Sequence, residues 1–316
     1  MLRSIYVRIA AVGLALLLAG LLLGADTTYY WNLKGLHSAK ASSMEAAQLK
    51  ESFPGLMDMG TDRHGRQVLK GDIVSFTRLE LNVGSATVEI VPSDRFSLEI
   101  AGKDLSRFTY SNQNGVCKIR EEPEIFTWKV FSFSWREEGD HIKLSIPSGV
   151  TLSSADLTIA SGQLDVRQVG SEAFSIDLAS GEVNLSSITT GKLDLHCASG
   201  DIRTTDVTAQ TLTVYVASGS LVGSGLHTQG MSVQLTSGDA TLAGEFLGSN
   251  TMRVSSGTLT LRVAGNRQSY SVKTSVLSGS IIVDGQRNPG SMVDAQAANA
   301  LDISITSGTA RVEFGK

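Results

Sequence analysis

The residues whose spacing best suits chemistry are two carboxylates, Glu182 and Asp201, whose separation along the chain equals the period at which the sequence repeats. In a chain wound into coils they would occupy one outward position on neighbouring coils, about 4.8 Å apart. Retaining glycosidases use a carboxylate pair about 5 Å apart, so one hypothesis is a polysaccharide-active enzyme. Such pairs also arise by chance where polar columns repeat, and we favour a non-enzymatic protein with no catalytic residues.

A second set of polar side chains, Asp177 and His196 with Ser175 and Asp194 nearby, is predicted to stack in the same way. The five histidines are scattered, and Cys117 and Cys197 do not have CxxC spacing, so we predict no metal site and no cofactor. A disulfide would require the fold to bring the two cysteines together. The sequence contains no hydrolase elbow, zinc-protease, phosphate-loop, dinucleotide or EF-hand motif.

The elements that would position these side chains are marked by a recurring Ser-Gly dipeptide. The successive intervals from Ser161 to Ser256 are identical, and the two that follow are longer, which we interpret as loop insertions into a continuing pattern. Such a fixed short period is typical of a solenoid. The serines of the nine dipeptides are Ser148, Ser161, Ser180, Ser199, Ser218, Ser237, Ser256, Ser278 and Ser307.

Within each repeat, apolar residues alternate with polar ones, which indicates strands with one buried face. One column contains Leu178, Cys197 and Val216, so Cys197 is interpreted as a small core residue. The sequence therefore predicts an all-β fold, a parallel β-solenoid of 19-residue repeats over residues 148–316. The Ser-Gly pair is interpreted as a corner, with positive φ at glycine and serine hydroxyls that bond to one another. A serine ladder that binds sugar or ordered water is the alternative.

Residues 72–147 are predicted to be an irregular β segment that continues the solenoid, with strands at 79–83, 86–91, 96–100, 116–119 and 142–146. Aromatic residues concentrate here, and alternation places Phe131, Phe133 and Trp135 on one face, close to Trp128. We favour these residues as a roof over the open end of the solenoid. The alternative is an exposed interaction patch formed by Trp128, Phe131, Phe133 and Trp135.

The amino terminus predicts a location outside the cytoplasm. Residues 9–25 carry no charge, Arg3 and Arg8 precede them, and Tyr29, Tyr30 and Trp31 follow them. These flanks favour a retained transmembrane helix, with residues 1–8 as a cytoplasmic tail, over a cleaved signal peptide and a secreted protein. Residues 26–71 lack a sustained strand pattern and are interpreted as a juxtamembrane stalk.

The net charge of the body restricts the classes of partner that it can bind. After removal of Arg3 and Arg8, 25 of the 27 basic residues remain against 31 acidic ones, so the body is a poor partner for nucleic acid. We expect contact with the membrane through residues 9–25, and an envelope protein or a cell-wall component as the partner of the body.

Together, the anchor, the β-rich segment, IPSGVTLSSADLTIASGQLDV at residues 146–166 and the recurrent ASG units resemble the bacterial "putative adhesin" β-strand-repeat family. The resemblance covers residues 72–316. It implies a membrane-anchored envelope protein with a domain of unknown function, and it implies no catalytic residue, cofactor or ligand. The function we expect is adhesion, scaffolding or an interaction related to envelope stress.

Overall fold

The computed structural model describes residues 53, 55–56, 58–122, 139–292, 294 and 297–315. These residues belong to one compact unit of the chain, Ser43–Lys316. In this part of the chain, no helix combines the length and the hydropathy needed to cross a membrane. The predicted anchor at residues 9–25 lies outside the described residues.

The described chain is all β apart from two single-turn 3-10 helices, Leu105–Arg107 and Arg267–Ser269. Strands β1 to β7 are Asp58–Thr61, Gln67–Asp72, Arg78–Val83, Thr87–Ser93, Ser97–Gly102, Phe108–Gln113 and Val116–Glu121. Strands β8 to β13 are His141–Pro147, Thr151–Arg167, Gly170–Val263, Tyr270–Val283, Gln286–Arg287 and Asn299–Phe314.

The repeats form the predicted solenoid-like stack of parallel coils. Strand β10 pairs with β9 in parallel at an offset of one repeat, so that Ser180 lies beside Ser161 and Leu178 beside Ile159. Each coil contributes one residue to each apolar column, and the column that contains Cys197 is buried as predicted. The alternation of apolar and polar residues therefore fixes both which side faces the core and the register between coils.

The order of coils at the carboxyl end differs from the prediction. The two longer intervals after Ser256 were interpreted as loop insertions into a continuing pattern; the pattern does continue, but these coils do not stack in chain order. Strand β13 lies between β10 and β11: Ser307 is paired with Ser256 on one side and with Ser278 on the other. The chain thus leaves the last coil of β10, steps over one coil position to form β11, and later fills the gap with β13.

A similar arrangement occurs at the amino end. Strands β3 and β4 lie in parallel beside β9, and β7 and β8 lie in parallel on their far side. These pairings place the described strands β3, β4, β7 and β8 in the same parallel stack as β9. Ser148-Gly149 is a turn between β8 and β9, in which the Ser148 amide donates to the Ser93 carbonyl, and it does not belong to the stacked corners.

The folded body begins earlier than the sequence indicates. Strand β1 and all but the last residue of β2 lie within residues 26–71, which were interpreted as a stalk, and β2 pairs with β5 in the main sheet. Phe53 and Leu56 are also buried in the core. These strands are short and rich in glycine and charged residues. The alternation of apolar and polar residues that indicates a strand is therefore weak in them. Strand β6, Phe108–Gln113, was missed because its second half is polar.

The amino-end core contains several aromatic rings among the described residues. The rings of Phe53 and Tyr110 are stacked with centroids 6.4 Å apart, and those of Phe76 and Phe96 lie 4.8 Å apart. Trp128, Phe131, Phe133 and Trp135 lie outside the described residues. The prediction that they form a roof therefore stays a prediction.

Candidate functional site

The stacked corners carry an exposed row of serines. The backbone turns at each Ser-Gly pair with φ between 115° and 156° at glycine, as predicted. The serines are exposed, and no hydrogen bond joins two of their hydroxyls in the part of the chain that the structure describes, so the prediction of mutual bonding is wrong. The hydroxyls face solvent at intervals of about 4.8 Å. The row, in stacking order, is Ser161, Ser180, Ser199, Ser218, Ser237, Ser256, Ser307 and Ser278.

Glycine is required at these corners because the coils approach one another closely. A Cβ on Gly200 would lie 2.1 Å from the carbonyl oxygen of Gly181, and a Cβ on Gly219 would lie 1.9 Å from that of Gly200. No side chain fits at such distances. The row of serines is thus supported by a row of glycine backbones, which fixes the relative positions of successive corners.

The candidate catalytic carboxylates are paired with a basic side chain on the wall beside the serine row. Arg203 bonds to Glu182 through Nη1, and its Nη2 lies 3.8 Å from Oδ2 of Asp201. The Ser220 hydroxyl donates to Asp201 at 2.6 Å. The structure therefore brings the two carboxylates to the predicted column, but both face one guanidinium.

Two depressions on the described surface lie near the amino end. One is lined by Arg66, Thr87, Gly139 and His141, and the other includes Asp72 and Arg95. Glu182 and Asp201 line neither of these two depressions.

The second predicted polar set occupies the wall on the other side of the corner. His196 and Asp177 are both exposed, and the His196 ring lies 6.2 Å from that of Tyr215 on the next coil. Asp194 is paired with Lys192 at 2.6 Å. Asp177 and His196 share a column as predicted, without a hydrogen bond or ion pair between them among the described contacts.

The two cysteines are free and buried. Burial raises the pKa of the Cys117 thiol to about 12. Burial and the nearby Asp201 raise the pKa of Cys197 to about 11, against a backbone hydrogen bond from Ser199 that lowers it. Both are therefore protonated, unreactive thiols at neutral pH. Within the described residues, no three His, Cys, Asp or Glu side chains lie close enough together to share a metal ion.

A buried carboxylate that we did not predict closes the corner row at the amino end. Glu121 has a side chain that is 1% exposed, and it accepts hydrogen bonds from the backbone amides of Gly84 at 2.8 Å and Ser85 at 3.2 Å. Arg107 bonds to Glu121 and also to Asp140, at 3.2 Å. The sequence offered one clue: Glu121 follows Cys117 and Ile119 at alternate positions, so it occupies an inward-facing site.

This ion-paired cluster joins the described residues on the two sides of residues 123–138. Glu121 and Asp140 both bond to Arg107. The Arg107 carbonyl accepts from the Glu122 amide, and Arg66 donates to the Gly139 carbonyl. Residues 121–122 and 139–140 thus lie close together in space.

Comparison with known proteins identifies the family. The family model described as Toastrack DUF4097 matches residues 76–313. The chain belongs to the Toastrack DUF4097 family. The matched region runs from just before β3 to the end of β13, and it therefore includes both places where the coil order departs from the chain order. No curated protein matches the sequence.

Solved structures from Bacteroides fragilis and Parabacteroides distasonis are similar to this chain. A "putative adhesin" from Bacteroides fragilis has 12% identity and a TM-score of 0.46, over 78% of this chain and 96% of that one. Another "putative adhesin", from Parabacteroides distasonis, has 15% identity and a TM-score of 0.46 over 78% and 96%. A "putative lipid binding protein" from the same organism has 17% identity and a TM-score of 0.46 over 79% and 97%.

Proposed function

We propose that this Toastrack chain is a non-enzymatic, membrane-anchored protein of the bacterial cell envelope that presents its β-solenoid outside the cytoplasm as an adhesion or scaffold module. The observation that carries the proposal is the straight row of exposed serines between two polar walls, in constant register over successive coils. Such a surface offers many equivalent weak contacts to an extended partner, which can add up to firm binding. The partner would be an envelope protein or a cell-wall polymer.

The orientation in the membrane rests on the sequence. Residues 9–25 would form a single transmembrane helix with the basic side chains of Arg3 and Arg8 in the cytoplasm. The alternative is a cleaved signal peptide, which would release the body instead. Both routes place the solenoid on the same side of the membrane.

The topology can be tested with a single exposed thiol. Because Cys117 and Cys197 are buried, a Ser237→Cys variant presents one accessible cysteine in an otherwise unreactive body. We expect a membrane-impermeant maleimide to label this variant in intact cells whose outer layers are permeable to it, and to leave the parent unlabelled. Labelling that requires lysis of the cytoplasmic membrane would contradict the proposal. Fractionation of the labelled cells then distinguishes the two forms. The anchored form stays with the membranes until detergent is added, and the released form is in the soluble fraction.

The contact surface can be located by photocrosslinking. A photoreactive amino acid in place of Ser218, on the exposed row, should crosslink to a partner that mass spectrometry identifies. The same amino acid in place of Val74, an exposed residue near the amino end, serves as the control. If both positions capture the same set of proteins with equal yield, the serine row is not a specific contact surface.

We propose that Phe131, Phe133 and Trp135 form a roof over the open end of the solenoid, with an exposed interaction patch that also includes Trp128 as the alternative. If they form the roof, a Phe131→Ser, Trp135→Ser variant should lose melting temperature and aggregate. An unchanged melting temperature with loss of crosslinks to the partner would contradict the roof and support the patch.

A further inference from the structure

The gap between the last coil of β10 and β11 is a strand-binding slot with walls on both sides. Strand β13 fills it in parallel with both neighbours, from Asn299 beside Tyr270 to Phe314 beside Val263. Its inward side chains, Leu301, Ile303, Ile305, Ala310 and Val312, are at most 1% exposed. The slot therefore recognises an extended segment with this alternation of apolar side chains.

The corner of the slot adds a stringent steric requirement. A Cβ on Gly308 would lie 2.1 Å from the Gly257 carbonyl oxygen, and a Cβ on Gly279 would lie 1.9 Å from that of Gly308. Only glycine fits at the corner of an inserted strand. The end of the strand is also recognised, because the Phe314 ring lies 5.2 Å from the Tyr270 ring, with the Arg267 guanidinium 5.4 Å from its centre.

The two strands that flank the slot are the last coil of β10 and β11. They are joined in the chain by residues 264–269, which pass beside Phe314. This link makes the repeat longer than a regular one, because the interval from Ser256 to Ser278 contains more residues than the interval from Ser237 to Ser256. Strand β11 carries the same alternation and the same Ser-Gly corner as β13. Before β13 enters, β11 can therefore lie directly on the last coil of β10, or the slot can stay open.

The connection that leads into β13 lies outside the slot. It follows the outer edge of β11, where Met292 exchanges backbone hydrogen bonds with Val272 and the Ser291 hydroxyl bonds to Thr274. Residues 286–292 thus pair with β11 along this edge, where Asn288 also bonds to Ile281 and Met292 packs against the core. Every contact inside the slot would be the same if β13 came from another molecule.

We propose that this slot also accepts β13 of a second copy of the chain, which gives a strand-swapped dimer. In the exchanged form each β13 fills the slot of its partner with the same register, glycine corner and Phe314 contact, and the chain crosses between the molecules after β12. Such exchange of an identical element needs no new interface. The closed monomer dominates in dilute solution, and the dimer increases with protein concentration during folding.

A disulfide placed across the slot distinguishes the two forms. Arg253 and Ser304 are direct neighbours in the β10–β13 pairing, and neighbouring strands lie about 4.8 Å apart, within reach of a disulfide. In an Arg253→Cys, Ser304→Cys variant of the full-length chain, the bond links one molecule to itself in the closed form and two molecules in the swapped form. Non-reducing electrophoresis after refolding at increasing protein concentration measures the covalent dimer.

The matched control is an Asp156→Cys, Ser175→Cys variant, a neighbouring pair on the same wall that lies outside the slot. We expect the slot variant to give a covalent dimer whose share rises at least several-fold with concentration, and the control to remain monomeric throughout. An internal disulfide in both variants at every concentration, with no dimer above the control, would overturn the proposal.

A second variant tests the slot itself. Addition of Gly308→Val to the slot variant should block insertion in both forms, so that the internal disulfide and the covalent dimer are lost together. Equal dimer yield with and without Gly308→Val would show that the crosslink arises from collisions and not from the slot, and would also overturn the proposal. Adding Ser307→Ala instead, an exposed change beside the same corner, should leave both products intact.

Discussion

At the scale of single residues, the corner glycines set the strictest requirement in the stack. Each combines a backbone conformation that L side chains rarely adopt with a carbonyl oxygen of the next coil where a Cβ would lie. The adjacent serines, in contrast, project into solvent. The two halves of the recurring dipeptide therefore have different roles, since glycine permits the stacking and serine forms the surface.

A pair of adjacent substitutions tests this division. Gly200→Ala should lower the free energy of unfolding by about 2–4 kcal/mol, because the added methyl group meets the Gly181 carbonyl and φ at this position is +140°. Ser199→Ala, one residue earlier and exposed, should change it by less than about 0.5 kcal/mol. Denaturant unfolding of the two variants measures the difference, and similar losses in both would argue against the assignment.

The buried thiols predict a pH dependence. Because the pKa of Cys197 is raised to about 11 from an ordinary value of 9.0, the unfolded chain releases this proton at lower pH than the folded one. The stability that depends on the neutral thiol is complete below pH 9 and is lost as the pH rises towards 11. In a Cys197→Val variant, the decline of stability over this range should be shallower than in the parent. A Ser199→Ala control should retain the parental slope in the same pH series of denaturant unfolding.

At the scale of elements, the amino end of the corner row depends on one buried ion pair. Glu121→Ala would leave the Gly84 and Ser85 amides without their acceptor and would remove one of the two carboxylates that Arg107 contacts, which should cost about 3–5 kcal/mol. Glu80→Ala removes a more exposed carboxylate, paired with Lys118 at 2.8 Å, and should cost about 0–1 kcal/mol. Thermal unfolding compares the two variants. Equal losses of stability in the two variants would contradict the role of Glu121 at the amino end of the corner row.

The strand faces give a further prediction about neighbouring coils. Leu195 is buried in mid-stack, so Leu195→Asp should place a charge between coils at a cost of about 4 kcal/mol or more. His196→Ala changes an exposed side chain and should be nearly neutral. Hydrogen exchange should show lost protection in the coils on both sides of Leu195→Asp, because each coil is stabilised chiefly by its neighbours. Loss confined to one coil would contradict this.

The sequence predicted the strand faces well for a physical reason: residues such as Leu195 and Cys197 alternate with His196, and that alternation decides which side is buried. It did not predict the order of the last coils, because β11 and β13 carry the same pattern and either fits beside β10. Their order depends on the longer link at residues 264–269 and on the packing of Phe314 against Tyr270. Glu121 was missed because the periodic pattern does not show which backbone amides need an acceptor.

At the scale of the whole molecule, the stack is continuous from the antiparallel strands at the amino end to β11. Parallel pairing runs without a break from β7 and β8 through β3, β4, β9 and β10 to β13 and β11. The apolar columns consequently form one core, and unfolding should be a single cooperative transition for the body. The outer walls repeat the same spacing over this length, which is the property that the proposed scaffold role uses.

The late position of β13 in the chain has a consequence for the time course of biosynthesis. The corner serine of β13, Ser307, comes well after Ser278, the corner serine of β11. At typical elongation rates the ribosome needs roughly 1.5–6 s to synthesise the chain between them. During this interval β11 exists without its final neighbour and is free to settle on the nascent β10. A chain in which β11 has settled there must move β11 outwards by one coil to complete the stack, and this step begins only after residues 299–314 have been synthesised.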